Sequence, residues 1–302
     1  MSDVSSTTES PALSTTRATL LILFSACCFG SIPILITLAT RSGAGLVDVL
    51  AWRYVLAAVL LLVLSGSFAT MRAPGRRVFP LLVFAGGGQA AIAFVSLSAL
   101  KYIPAASLTF LFYSYPAWVA IIAALRGTER LTTRRVVALS LSLGGIALMV
   151  GMPGAGGLNS AGVMLALASA LLYALYIPMI GHYGAGIPAA VTSAYAAGGA
   201  GIILVGVALF HGGPAVHLTG TAWTSIVLLA VVSTVLAFIA FLRGLAVIGP
   251  VRTAIVSTVE PFWTAMLGSM VLSQLIGTRS LAGGILIAAA VIVLQVGPKA
   301  GD

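Results

Sequence analysis

Val259-Glu260-Pro261-Phe262-Trp263 places a carboxylate and a proline side by side inside an apolar run that extends from about Pro250 to Ser273. A helix rises about 1.5 Å per residue, so a run of this length crosses a hydrocarbon layer about 30 Å thick. Glu260 then lies about 15 Å from the start of its helix, near the bilayer midplane. A charge at that depth costs about 2.5–3.5 kcal/mol on insertion scales, so the side chain must face protein or water and not lipid. No other carboxylate lies in the interior of a long apolar run, Asp48 standing at the very start of one. The stretch has an echo 145 residues earlier, Ser114-Tyr115-Pro116-Ala117-Trp118, in which Pro116 matches Pro261, Trp118 matches Trp263 and Tyr115 stands where Glu260 stands.

Composition agrees with a membrane setting. Apolar residues make up 60% of the chain and charged residues 7%, against about 25% charged in a soluble domain. The apolar runs are continuous, which fits helices and not the alternating strands of a β-barrel. The net charge of +9 comes from basic residues clustered in short loops; this is a topology signal and does not suggest nucleic acid as a partner. Cys27 and Cys28 are adjacent, an arrangement poor for a disulfide and insufficient for a metal, and they read as small packing residues.

Residues 1–16, rich in Ser and Thr, read as a disordered cytoplasmic tail. Ten spans follow, at 18–40, 47–68, 79–100, 104–125, 134–151, 159–180, 189–210, 221–244, 250–273 and 280–297. Eleven basic residues (Arg17, Arg72, Arg76, Arg77, Arg126, Arg130, Arg134, Arg135, Arg243, Arg252, Lys299) fall on the side of both termini, and three (Arg41, Lys101, Arg279) on the other. The positive-inside rule therefore places both termini in the cytoplasm of a bacterial-type inner membrane. The 145-residue offset holds without a gap: Pro33 matches Pro178, Ile103 matches Ile248 and Arg134 matches Arg279. Five helices is an odd number, so two such halves, 17–151 and 159–297, must insert in opposite orientations. This is an all-α polytopic protein of two inverted repeats around a central cavity, an arrangement that suits alternating access.

The residues that could carry transport lie at mid-membrane. Pro33, Pro116, Pro178 and Pro261 each remove a helical hydrogen bond and are candidate hinges. Glu260 could bind an amino group, carry a coupled proton, or bond a neighbouring helix. Gln89 can both donate and accept, and Ser96 shares its face seven residues on. The Gly86-Gly87-Gly88 run beside Gln89 permits close backbone approach. Tyr113, Tyr115, Trp118, Tyr173, Tyr176 and Trp263 sit on the proline-bearing helices, Tyr115 too deep for the interfacial belt where Trp52, Tyr102 and Trp223 belong. The binding set read from the sequence is Glu260, Tyr115, Gln89, Tyr113, Tyr176, Trp263 and Ser96. Arg53 can snorkel outward, pair with Asp48, or take a substrate carboxylate. Gly284-xxx-Ala288 and the 194–201 cluster read as helix packing, and the small residues of spans 5 and 10 leave a monomer and a homodimer both open.

Other classes fit poorly. There is no H-E-x-x-H, Walker A or nucleophile elbow, and His182, His211 and His217 fall between spans, so neither an enzyme nor a bound cofactor is expected. Lys101 and Lys299 lie at span ends, unlike a retinal-binding lysine, and a channel would call for rings of like polar residues.

The chain after residue 17 resembles the EamA family of the drug/metabolite transporter superfamily. The likeness is carried by Trp52-Arg53-Tyr54, Tyr115-Pro116, Glu260-Pro261 and Gly127-Thr128-Glu129-Arg130-Leu131, the last similar to the family's Gly-Glu-basic-Leu close of helix 4. Thr128 is inserted before Glu129, and Gln274 stands where the family often has Glu. The resemblance implies ten helices, a cavity lined by the kinked helices of both halves, and export of small metabolites. YddG-like exporters of aromatic amino acids match the aromatic midplane, with proton-coupled export of drugs or quaternary amines as the alternative.

Overall fold

A computed structural model describes residues 14–64, 75–127, 132–150, 158–184, 187, 189–210, 212–257 and 259–295. Among them every regular element is helical. Residues 1–13, Thr128–Leu131 of the predicted loop motif, and Lys299 lie outside the described residues. The first helix begins earlier than the sequence suggests: Ser14 Oγ accepts the Arg17 N–H at 3.4 Å as an N-cap, so residues 15 and 16 belong to the helix and not to the tail.

The first crossing is made of α1 (Thr15–Gly30) and α2 (Ile32–Arg41), separated at Ser31. The second is α3 (Leu46–Leu64). The third runs through α4 (Gly75–Pro80), a π turn at Leu81–Ala85, α5 (Gly86–Ser98) and a final 3₁₀ turn. The fourth is α6 (Ala105–Phe112) and α7 (Tyr115–Leu125), and the fifth α8 (Thr133–Val150). In the second half α9 (Ser160–Gly184) and α10 (Ala189–Leu209) are continuous. Next come α11 (Gly220–Ala230), a second π turn at Val231–Leu236 and α12 (Ala237–Ser257). The chain ends with α13 (Val259–Leu272) and α14 (Thr278–Gln295). Six of the crossings are long and apolar enough to span a bilayer as single stretches. The others are shorter or interrupted helices.

The prolines act differently from simple kinks. Pro33 and Pro116 sit in the first turn of α2 and α7, immediately after a break, where the missing N–H is no loss. Pro261 is the third residue of α13. Pro178 is the exception, held inside the unbroken α9. A second departure concerns the expected gap between spans 8 and 9: α12 runs unbroken through Gly249-Pro250. Glycine before proline has no Cβ to clash with the ring, whereas Ile103-Pro104, one residue earlier in the register of the first half, leaves the helix, with Pro104 extended. His182 lies in the last turn of α9 and not in a loop.

Packing repeats across the halves. α1 packs on α12 as α9 packs on α5; α3 lies against α10 and α8 against α14; α6 and α7 touch α9 as α13 touches α1. Exchanging the halves maps this set onto itself, and five crossings per half make the two repeats antiparallel. Side chains such as Leu20, Val63, Met164, Ile202 and Met270 stay exposed, as lipid-facing positions should.

Small residues set the close approaches. Gly199 of α10 lies so near the Leu82 backbone that any Cβ would collide with it. A Cβ on Gly145 would meet the Gly283 carbonyl, so the small faces of spans 5 and 10 pack on each other within the chain. Gly206, by contrast, faces open space. Replacing Gly199 by Val should force α10 off the π turn and destabilise the protein by about 1–3 kcal/mol. The thermal midpoint in detergent–lipid micelles should fall for Gly199→Val and stay put for Gly206→Val; equal midpoints would contradict this packing.

Candidate functional site

Two clusters occupy the centre of the bundle, and a file of aromatic rings joins them. The first borders a cavity of about 190 Å³ between α3, α5, α9, α10 and the second π turn. That is more than ten times the ~10–15 Å³ that admits one water, and below the ~300–1,000 Å³ of drug-sized sites. Its polar lining is Arg53, Tyr54, Gln89, Tyr173, Tyr176, Ser193 and Thr234; its apolar lining includes Leu61, Ile177, Ile180 and Phe238. Leu61, Ile180 and Ser193 carry it toward the end of the bundle where α9 connects to α10.

The wall is built by local backbone geometry. The π turn widens the helix around Thr234, whose hydroxyl donates to the Leu229 carbonyl five residues back at 2.7 Å. With its proton committed there, Thr234 Oγ1 accepts from Arg53 Nε at 3.1 Å. Arg53 is 5% exposed, and its guanidinium lies 5.1 Å from the centre of the Tyr54 ring, within cation–π range. Gln89 Nε2 donates to the Tyr54 hydroxyl at 3.0 Å. Opposite, Gly88 makes room for a ring: a Cβ there would stand 2.6 Å from Tyr176 Cδ2.

The second cluster gathers the helix breaks. The Tyr113 hydroxyl, at the break of the fourth crossing, lies 2.8 Å from both the Ser257 carbonyl at the end of α12 and Glu260 Oε2 at the start of α13. One hydroxyl proton thus serves two acceptors. Thr264 Oγ1 donates to the Gly30 carbonyl at 2.8 Å, and Trp263 Nε1 to Ser31 Oγ at 3.4 Å, which ties the first break to α13. Gly30 is needed there, because a Cβ would come within 2.9 Å of the Glu260 carbonyl. Among the described residues, Ser114 Oγ and Trp118 Nε1 are buried beside this cluster without a hydrogen-bond partner.

Tyr115 links the two. Its ring stands 6.1 Å from Tyr113 and 4.8 Å, edge to face, from Tyr173, which in turn lies 6.3 Å from Tyr176. The file Tyr113–Tyr115–Tyr173–Tyr176 therefore runs from Glu260 to the cavity.

Of the residues singled out in the sequence, Gln89 and Tyr176 line the cavity, Glu260 and Tyr113 bond each other, and Tyr115 packs between. Trp263 reaches Ser31, and Ser96 Oγ donates back to Ala93 of its own helix at 3.3 Å, outside this cavity. Arg53 neither snorkels nor pairs with Asp48: it is buried against Thr234, while Asp48 Oδ1 accepts the Ala215 N–H at 3.0 Å. Tyr54, Ser193 and Thr234 escaped notice as lining residues, although Thr234 is the 145-residue counterpart of Gln89. Gln274 Oε1 accepts the Ala105 N–H at 3.1 Å, a structural role at the start of α6.

At the far end of the bundle the two halves close on each other. Trp52 Nε1 donates to the Ala215 carbonyl at 2.9 Å, and the Trp52 and Trp223 rings lie 5.3 Å apart. These tryptophans lie near span ends, as anchors should, but they pack on each other, tilted by 58°, across the repeats.

Comparison with known proteins agrees with this architecture. A curated relative from Bacillus subtilis (strain 168), described as the uncharacterized transporter YcbK, is 26% identical over 275 residues, covering 88% of each chain. One solved crystal structure superposes with a TM-score of 0.64 and 20% identity over 93% of this chain and 97% of its own, a likeness of fold. The profile of the EamA-like transporter family matches twice, at residues 16–151 and 160–296, and the chain belongs to that family of membrane transporters.

Proposed function

We propose that the protein exports amino acids with aromatic or apolar side chains, or related small metabolites, by alternating access across a bacterial-type inner membrane, with both termini cytoplasmic. The observation that carries the reading is the ring file from Glu260 to the cavity, set between two antiparallel five-helix units. Units 17–151 and 159–297 would rock about this centre. The turns followed by Pro33 and Pro116, together with Pro261 near the start of α13, would serve as hinges, and Pro178 would be a softer bending point inside α9. Glu260, Tyr113, Tyr115, Gln89, Tyr176 and Trp263 are the proposed binding set, with Ser96 on the same helix face. The cavity's extension toward the α9–α10 connection, together with closure at Ala215 on the opposite end, supports a state open to the cytoplasmic side.

A second reading is proton-coupled export of a cationic drug or quaternary amine. It is favoured by the Tyr113 hydroxyl standing between two acceptors, a set that a proton on Glu260 would complete. Saturable counterflow in proteoliposomes, measured with amino acids, quaternary amines and nucleosides and with or without a pH gradient, separates the two readings.

Removing a hydrogen bond to a charged group costs about 1.5–3 kcal/mol, about tenfold or more in rate if felt in the transport step. Glu260→Gln should slow counterflow by about that factor, and Tyr115→Ala should slow it by removing the ring that joins Tyr113 to Tyr173, both eluting as folded protein; normal rates in both variants would refute this site. Orientation has its own check. Lys101 and Arg126 are both exposed at opposite span ends. In intact cells an impermeant thiol reagent should label Lys101→Cys and spare Arg126→Cys; the reverse pattern would invert the topology.

A further inference from the structure

The cavity wall carries a full positive charge that the fold itself does not explain. Arg53 is only 5% exposed within the apolar layer, a placement that membrane insertion strongly disfavours. Every other residue lining the cavity is neutral. The two acidic side chains among the described residues are engaged elsewhere, Asp48 with the Ala215 N–H and Glu260 with Tyr113. The repeat does not call for a cation at this position either, since Gly198 occupies the matching site in α10.

What the guanidinium does meet holds it in place without neutralising it. Thr234 takes Nε from one side and the Tyr54 ring lies beneath. A guanidinium has five N–H donors in a planar fork. With Nε engaged by Thr234, the remaining donors of the fork are on the Nη pair, whose spacing matches a carboxylate bidentately. The Thr234 hydroxyl is itself fixed by the Leu229 carbonyl of the π turn, so the fork is oriented before any cargo arrives.

We infer that Arg53 is the docking point for a carboxylate of the cargo, so that the transported class is carboxylate-bearing and not cationic. The inference rests on the transport reading above and narrows it. The cavity's Tyr173, Tyr176, Ile177 and Phe238 then receive the apolar part of such a molecule.

The test uses the full chain in liposomes and three probes that differ only in their charged groups: L-phenylalanine, 3-phenylpropionate, which lacks the ammonium, and 2-phenylethylamine, which lacks the carboxylate. The leucine-derived trio is run alongside, with tetraethylammonium as a cation. Wild type should exchange the amino acids, be inhibited by the carboxylates, and ignore the amines. Arg53→Gln should reduce carboxylate inhibition by about tenfold or more, the scale of one charge-assisted hydrogen-bond pair, and Arg53→Lys should restore part of it. A purely structural Arg53 would lower all probes together and leave their ratios unchanged, which overturns the inference. Should a variant fail to fold, the wild-type ratios still decide. Exchange of the amines or of tetraethylammonium without the carboxylates overturns the inference and leaves a transporter, whereas absence of saturable exchange with every probe removes the transport reading and this one with it.

Discussion

Crossing helices that stop and restart inside an apolar layer free backbone groups that hydrocarbon cannot solvate. The centre of this protein is organised by that constraint. The carbonyl of Gly30 at the first break is satisfied by Thr264, and that of Ser257 at the ninth crossing by Tyr113, itself at the break of the fourth. Side chains of one crossing thus satisfy carbonyls of another, and these bonds draw Tyr113, Glu260 and Trp263 to one place. The bilayer penalises unpaired backbone so heavily that a polar centre follows from the breaks themselves.

Around that centre the frame is symmetric and the chemistry is not. Helix contacts map onto themselves when the halves are exchanged, yet Tyr115 faces Glu260 across the repeat, Gln89 corresponds to Thr234, and Arg53 to Gly198. Unequal side chains at equivalent positions give a symmetric frame a centre with two distinct ends.

Much of this was legible in the sequence because membrane constraints act on composition and spacing. The apolar runs, the 145-residue offset and the paired prolines each follow from length, lipid and symmetry. So did Gln89, Tyr176, Tyr113 and Glu260, since a polar or aromatic group deep in a span stands out. Contacts between distant segments were not legible. That Thr234 would hold Arg53, away from Asp48, depends on a wide turn in the eighth crossing. The continuation of α12 through Gly249-Pro250 hinged on one missing Cβ, and Pro178 stayed in an intact helix although its partner Pro33 follows a break. Local pattern sets which residues are deep; only packing decides which of them meet.

The two wide turns, Leu81–Ala85 and Val231–Leu236, carry a consequence for reading related chains. Each takes an additional residue into a helix, shifting angular phase by about 100° for everything beyond it. Because both halves contain one, about a turn apart in register, the internal alignment needs no gap and hides the insertion. A wheel drawn straight through the third or eighth crossing would therefore rotate half of its residues onto the wrong face, sending cavity-lining positions such as Gln89 or Phe238 toward lipid.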